Sequence, residues 1–207
     1  MSPLPVDDAV ATAVTLFGRL FERGLGAMEG CTISQRGPDG TLVTLDAREA
    51  LGRLIGEIPP DAPLAAGDPG TAALHAALLA AFPGWTTAVS GVALHLRDLI
   101  AEEMALPEAT SMMRKRGIRH VADHHVAAGA CVGAAQAETI AAAWARTEAN
   151  GMRHVLIVEP DGTVHVGGPT PAETMAHWSN VEFSAQVAVL RAEERVLDGM
   201  AEGDTPA

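Results

Sequence analysis

Residues 154–175 read HVLIVEPDGTVHVGGPTPAETM. They contain two runs rich in β-branched residues, a turn between the runs and the start of a helix. Proline presets one backbone dihedral and glycine tolerates a positive one, so the Pro-Asp-Gly segment is typical of a tight turn between two strands. Thr170 and Glu173 have the spacing of a capping box, in which each side chain satisfies a free amide group at a helix start. The stretch therefore predicts a β-hairpin that leads into a last helix ending near Leu197.

A second hairpin is predicted nearer the amino terminus, where CTISQR and TLVTL flank another Pro-Asp-Gly turn. TTAVSGVA predicts a further strand. Helices are predicted from apolar residues at helical spacing and from start and stop residues, over residues 6–23, 47–55, 69–82 and 136–150. Hairpins that alternate with helices indicate an α/β fold, and we expect a three-layer α/β/α sandwich with a mixed or antiparallel central sheet.

Composition restricts the class of protein. A chain of 207 residues, 48% hydrophobic, is long enough for one core, so a single domain over residues 1–200 with a flexible tail over 201–207 is expected. The net charge of −12 disfavours nucleic-acid binding, and no apolar run has the length of a membrane span. The start MSPLPVDD is unlike a secretory signal, so a soluble cytoplasmic protein is predicted. Cys31 and Cys131 are interpreted as small core residues.

Several segments taken in order show a resemblance to a known family. The segments are Gly30 to Arg36, His75 with Phe82-Pro83 and Thr87-Ala88-Val89, and His154 to Val158 with Gly167 and Pro-Ala-Glu-Thr-Met. They resemble the Gly-Asn-(Ile/Leu/Val)-Ser-x-Arg strand, the histidine-bearing helix and strand, and the His-Gly hairpin of the class II aldolase/adducin family. The resemblance covers roughly residues 9–191 and rests on the shared order of the segments.

The resemblance also shows what this chain has replaced. Family members bind a divalent metal, usually zinc, through three histidines, and the metal stabilises an enediolate. The first two of these positions fall at about Ser90 and Val92, which leaves His154 as the retained ligand. The acid/base glutamate falls on Thr71, which does not titrate near neutral pH. Ordinary sugar-phosphate aldolase activity is therefore not expected.

The resemblance further implies a cofactor- or anion-binding region. It would be formed by Gly30, Ser34, Gly70 and Thr71. Cys31 stands in place of an asparagine of the family's phosphate cradle, so this region is expected to bind phosphate less well.

Histidines suggest where a displaced site would lie. His120, His124 and His125 form the densest group of potential ligands or bases, and imidazole suits metals and titrates near neutral pH. We assign His120 and His154 as candidate ligands of zinc, iron or manganese, and His75, His124 and His125 as candidate catalytic groups. The His154 ring should then lie within roughly 8 Å of one of the other four. The alternatives are a polar loop with solvated histidines, a structural His75 and no metal.

Three functions remain open at this point. The first is an enzyme, a lyase or related catalyst, that acts on a small oxygenated substrate through the displaced histidine-rich site. The second is a non-catalytic oligomeric protein, and the third is a metal-free protein that binds a small acid. The resemblance also implies a homo-oligomer, expected to be a tetramer. The sequence does not identify the substrate.

Overall fold

The computed structural model describes residues 5–24, 30–65, 68–102, 135–149 and 155–203. In chain order its helices and strands are α1 (Pro5–Glu22), β1 (Thr32–Arg36), β2 (Leu42–Asp46), α2 (Ala47–Leu54), α3 (Pro69–Ala81), β3 (Thr87–Val92), α4 (Leu94–Ala101), α5 (Gln136–Ala149), β4 (Val155–Val158), β5 (Thr163–Gly168) and α6 (Pro171–Gly203). Both predicted hairpins and the predicted helices are confirmed. Helix α6 continues past the predicted end near Leu197 to Gly203.

The five strands of the described chain form an antiparallel sheet in the order β2-β1-β3-β5-β4. Each hairpin pairs its own two strands, with Ser34 opposite Thr44 in the first and Ile157 opposite His165 in the second. Strand β3 joins the hairpins, because Ser90 pairs with Thr32 of β1 on one side and with His165 of β5 on the other. Of the two sheet types expected, the antiparallel one is confirmed.

Apolar clusters cover the sheet on both sides. Val89 belongs to a cluster that includes residues of α1, α2, α4 and α6, whereas its neighbour Ala88 belongs to a second cluster with residues of α3 and α5. Successive side chains of a strand point to opposite faces, so the two clusters lie on opposite faces of the sheet. We call the face that carries Ala88 the α3 side. Cys31 is buried, as predicted, and burial raises the pKa of its thiol to about 12.

Local contacts explain where turns and helices begin. Gly40 and Gly162, the last residues of the two Pro-Asp-Gly turns, have φ angles of 86° and 84°, which favour glycine. The aspartate of each turn accepts a bond from the amide two residues later, at 3.0 and 2.9 Å. The predicted capping box forms in part. The Thr170 hydroxyl accepts from the Glu173 amide at 3.2 Å, as expected, whereas the Glu173 carboxylate accepts from the Thr170 hydroxyl at 2.9 Å instead of from the Thr170 amide.

The loop after α2 is held by a buried ion pair. Arg53 Nη2 lies 2.7 Å from Glu49 Oε1, and the two side chains are only 3% and 5% exposed. The guanidinium also donates to loop carbonyls, those of Pro59, Pro60, Ala62 and Pro63. Glu49 accepts from the Ala65 amide at the far end of the loop. Every polar group of the pair thus has partners, which offsets the cost of burying two charges. Among the described helices, none is long and apolar enough to cross a membrane.

Candidate functional site

Polar side chains run across the α3 side of the sheet. Ser34, Ser90 and His165 lie on consecutive strands of the sheet, and the residues beside them in the opposite apolar cluster are Ile33, Val89, Val164 and Val166. One residue of β2, one of α3 and one from the β4–β5 turn complete a continuous hydrogen-bonded set. We call it the buried polar row, and its members in spatial order are Thr44, Ser34, His75, Ser90, His165 and Glu159.

His75 links the two halves of the row. Its Nδ1 lies 2.8 Å from Ser34 Oγ and its Nε2 lies 2.5 Å from Ser90 Oγ. The ring is completely buried, which disfavours the charged imidazolium. Burial, and to a smaller extent the nearby His165, lower the pKa of His75 from the ordinary 6.5 to about 3. His75 is therefore a neutral ring near neutral pH, with both nitrogens hydrogen-bonded.

The row reaches partly exposed side chains at both ends. At one end Ser34 Oγ lies 2.7 Å from Oγ1 of the half-buried Thr44. At the other end Ser90 Oγ lies 2.5 Å from His165 Nδ1, and His165 Nε2 lies 2.7 Å from Glu159 Oε1. The Glu159 side chain is 24% exposed, whereas that of His165 is 4% exposed. The interior of the row is thus shielded from solvent and its ends are not.

Ser90, His165 and Glu159 have the residue types of a nucleophilic triad, but their surroundings differ from one. A catalytic serine must reach a substrate carbonyl. Ser90 is 1% exposed, and its hydroxyl is also bonded to His75. This geometry suits the holding or transfer of a proton between buried groups and does not suit acyl transfer.

The row also bears on the metal that the resemblance implies. A zinc ligand offers a lone pair about 2.1 Å from the ion. Ser90, one of the two positions expected to carry metal-binding histidines, is bonded to both His75 and His165, and each of those rings uses its other nitrogen as well. Within the described residues no three potential ligands are grouped for a metal ion. The residues at Ser90 do not fit the family's metal site.

The residues predicted to bind a cofactor lie at strand β1 and at the start of helix α3. Ser34 is inside the buried polar row, whereas Gly30 precedes β1 with a φ of 87°. Gly70 and Thr71 lie in the first turn of α3, where the Thr71 amide donates to the Asp68 carboxylate at 2.7 Å. That bond lowers the pKa of Asp68 and engages an amide that an anion would otherwise use. The binding roles of these residues stay predictions.

The predicted displaced site is only partly within the described chain. His75 is described and is buried. The other four predicted histidines lie outside the described residues, namely His120, His124, His125 and His154. Their roles and the predicted distance from the His154 ring therefore stay predictions.

A different histidine is oriented by a buried carboxylate. His95 Nδ1 lies 2.7 Å from Glu182 Oε1, which also accepts from the His95 backbone amide at 2.9 Å. The Glu182 side chain is 7% exposed and the His95 side chain 35%. Among the described residues, the other carboxylate oxygen has no partner and His95 Nε2 contacts no hydrogen-bonding group. The pair thus presents an imidazole lone pair at the start of α4, directly after β3.

Sequence reasoning missed this pair because 87 residues separate its members. One signal was present in the sequence. Trp178, Val181 and Ala185 repeat at helical spacing and are buried, and Glu182 lies on the same stripe of α6. A carboxylate inside an apolar stripe requires a buried partner.

Comparison with known proteins supports the fold. No family model matches the chain, and no curated protein matches it in sequence. Among solved structures, L-fuculose-1-phosphate aldolase from Thermus thermophilus superposes with a TM-score of 0.59 at 14% identity, over 96% of this chain and 98% of that one. YgbL from Escherichia coli, a putative aldolase/epimerase/decarboxylase, gives 0.58 at 14% identity over 89% of each chain. The sugar-phosphate aldolase from Thermotoga maritima gives 0.53 at 14% identity, over 97% and 98%.

These similarities define the class of fold. The chain has an α/β fold like that of the class II aldolases, with an antiparallel five-stranded sheet in its described part, and the predicted resemblance is confirmed at that level. Identity of 14% shows the fold alone, so activity has to be argued from the residues of this chain.

Proposed function

We propose that this protein is a diverged class II aldolase-like enzyme, a lyase or related catalyst of a small oxygenated substrate, whose acid–base chemistry is displaced from Ser90 to neighbouring histidines. The observation that carries the proposal is the His95–Glu182 pair. A buried carboxylate that accepts Nδ1–H fixes the tautomer and leaves Nε2 as the proton acceptor. This arrangement suits a general base.

The position of His95 supports the proposal. The Ala93 amide donates to the Gly162 carbonyl at 3.2 Å, so the start of α4 is tied to the β4–β5 turn. His95 therefore lies where the end of β3 and the second hairpin meet, close in sequence to Ser90 and Val92, at which the resemblance places metal ligands. His95, a few residues after these positions, would therefore place a proton acceptor at the same end of β3.

Further elements of the proposal concern residues beyond this pair. We propose that His120, His124, His125 and His154 contribute to the same displaced site and that it takes zinc, iron or manganese. The two apolar clusters support a three-layer α/β/α arrangement within a single domain over residues 1–200. A cytoplasmic homo-tetramer is proposed, and light scattering at micromolar concentration that gives a monomer mass contradicts the tetramer.

Turnover of a substrate panel tests the proposal. The solved neighbours are named as L-fuculose-1-phosphate and sugar-phosphate aldolases, so aldose and ketose phosphates and the corresponding acids are the first compounds to assay. Each is assayed with and without zinc, iron(II) and manganese(II), and metal content is measured on the purified protein. Cleavage or decarboxylation above a metal-only blank supports an enzyme.

Variants of the pair make the test specific. His95→Gln should lower kcat at least 100-fold, since general bases contribute about 10²–10⁴-fold, and Glu182→Gln should lower kcat by a smaller factor. Asp98→Asn, on the exposed side of the same helix, should leave kcat unchanged and is the matched control. Turnover that survives His95→Gln with kcat intact contradicts the role of His95.

A non-catalytic, oligomeric or small-acid-binding protein is the second candidate. The buried polar row favours it, because the side chains at Ser90 bond one another where the family's metal would bind. Absence of turnover across the panel, together with calorimetric binding of a small acid or a stable oligomer, would support this candidate.

A further inference from the structure

The hydrogen bonds of the buried polar row have a defined direction. An ionised carboxylate only accepts, so His165 Nε2 donates to Glu159. If His165 is neutral, its Nδ1 accepts and the Ser90 hydroxyl donates to it. Ser90 Oγ then accepts from His75 Nε2–H. A neutral His75 carries a single ring proton, which is the one on Nε2. The directions of the bonds from His75 to Ser34 and from Ser34 to Thr44 are therefore fixed as well.

The same argument completes the row at its other end. His75 Nδ1 accepts from the Ser34 hydroxyl, and Ser34 Oγ accepts from the Thr44 hydroxyl. Each donor therefore points toward Glu159, and all five bonds are made.

One added proton produces a second complete arrangement. If His165 is protonated, its Nδ1–H donates to Ser90, and Ser90 donates to His75 Nε2. His75, which stays neutral, then carries its proton on Nδ1 and donates to Ser34. Ser34 donates to Thr44, whose hydroxyl hydrogen turns toward solvent. The two arrangements differ by one proton and by the direction of four bonds.

We propose that the buried polar row is a proton path, along which one proton passes between solvent at Thr44 and the His165–Glu159 pair by reversal of the bonds between them. At each hydroxyl or ring one O–H or N–H bond forms while another breaks, so no other reactant is needed. The path is independent of whether His95 catalyses a reaction.

Other charged groups on the surrounding elements do not form hydrogen bonds that break the buried polar row. The charged groups of strands β1 and β2, of helices α3 to α5 with the α3 cap, and of the second turn are Arg36, Asp46, Asp68, Arg97, Asp98, Glu138, Arg146, Glu148 and Asp161, besides Glu159 of the row itself. Arg36 bonds the carbonyls of Pro83 and Leu79, and Asp46 and Asp68 cap helices. The side chains of Arg97, Asp98, Glu138, Glu148 and Asp161 are exposed, and the side chain of Arg146 is not among those that the structure describes.

Nuclear magnetic resonance of the full chain with ¹⁵N-labelled histidine tests the proposal. The ring nitrogens report which tautomer is present, and His75→Gln and His165→Gln variants assign the two rings. The expected result is Nε2–H on His75 whenever His165 is neutral and Nδ1–H on His75 whenever His165 is protonated, with one shared midpoint. Any other combination, at any pH at which the chain is folded, overturns the path.

A variant at the distant end tests whether the row acts as a unit. In the arrangement with a neutral His165, Thr44→Val removes one hydrogen bond, the one that Thr44 donates to Ser34. In the arrangement with a protonated His165, it leaves the buried Ser34 hydroxyl without an acceptor. The reversed arrangement is destabilised more, so the midpoint of the change in His75 tautomer should fall by about one pH unit. Thr44→Ser should restore it. Thr12→Val, at an exposed hydroxyl bonded only to its own helix, is the control. Equal midpoints in the Thr44→Val and Thr12→Val proteins overturn the proposal.

Discussion

The Nε2 atom of His75 lies 2.5 Å from Ser90 Oγ, and this contact fixes a histidine of α3 to the central strand of the sheet. The ring is completely buried and has a pKa of about 3. The unfolded chain binds a proton at His75 below about pH 6.5, whereas the folded chain does so only near pH 3. Stability from this group is therefore present above pH 6.5 and is lost as the pH falls toward 3.

The first prediction concerns that pH dependence. His75 should contribute a slope of up to about 1.4 kcal/mol per pH unit to the free energy of unfolding below pH 6.5. His75→Gln removes the titrating group and should reduce the slope by about that amount. Urea unfolding at several pH values between about 7 and 4 measures both proteins. Parallel slopes would show that His75 is protonated in the folded chain.

Arg53 provides the second prediction. Arg53→Ala leaves the Glu49 carboxylate buried without its ion-pair partner and frees the loop carbonyls, so the free energy of unfolding should fall by about 3–5 kcal/mol. The loop over residues 55–65 should become sensitive to proteases. Arg97→Ala is the control, since its ion pair with Asp98 is half-exposed at 3.6 Å and should matter by less than about 1 kcal/mol. Similar losses in the two variants contradict the role of Arg53.

Gly167 provides the third prediction, because it lies against α3. A Cβ atom there would clash with Leu78 Cδ2, so Gly167→Ala should cost about 1–3 kcal/mol through overpacking. Leu78→Ala removes the clash, and the same glycine substitution should cost less in that background. Thermal unfolding of the single and double variants measures the coupling. Gly84→Ala, where an added Cβ meets nothing within 4 Å, is the control. Additive effects would contradict the close approach.

Thr170 provides the fourth prediction. Thr170→Ala removes both side-chain bonds of the capping box at the start of α6, so stability should fall by about 1 kcal/mol. Thr15→Ala removes a hydroxyl that bonds only its own helix and should cost less. Denaturant unfolding compares the two variants, and an equal or larger loss for Thr15→Ala would contradict the capping role.

Local features of the fold were predicted from sequence because each depends on a few adjacent residues. The Pro-Asp-Gly turns required glycine at Gly40 and Gly162, and the positive φ angles agree. Thr170 caps the Glu173 amide as expected, and Asp68 caps the start of α3. The resemblance to class II aldolases, based on the order of such segments, is confirmed as a fold.

The candidate site was less predictable because its contacts join residues far apart in the chain. His165 was not assigned a partner from sequence, yet Ser90 is 75 residues away in the chain and 2.5 Å away in space. His75 was a candidate catalytic group with a structural role as the alternative, and it is buried between two serines. His95 was given no role, since the carboxylate that orients it comes from α6.

The sequence by itself determined the turns, the caps and the alternation of the strands, because these follow from residue type and short-range spacing. The replacement of metal ligands at Ser90 and Val92 is what the resemblance to the class II aldolases implies. Only the tertiary structure decided which of the described histidines are buried and how Glu182 orients the His95 ring. The physical reason is that the protonation and hydrogen bonds of an imidazole depend on the groups packed around it, and sheet order and helix packing bring those groups together from distant segments.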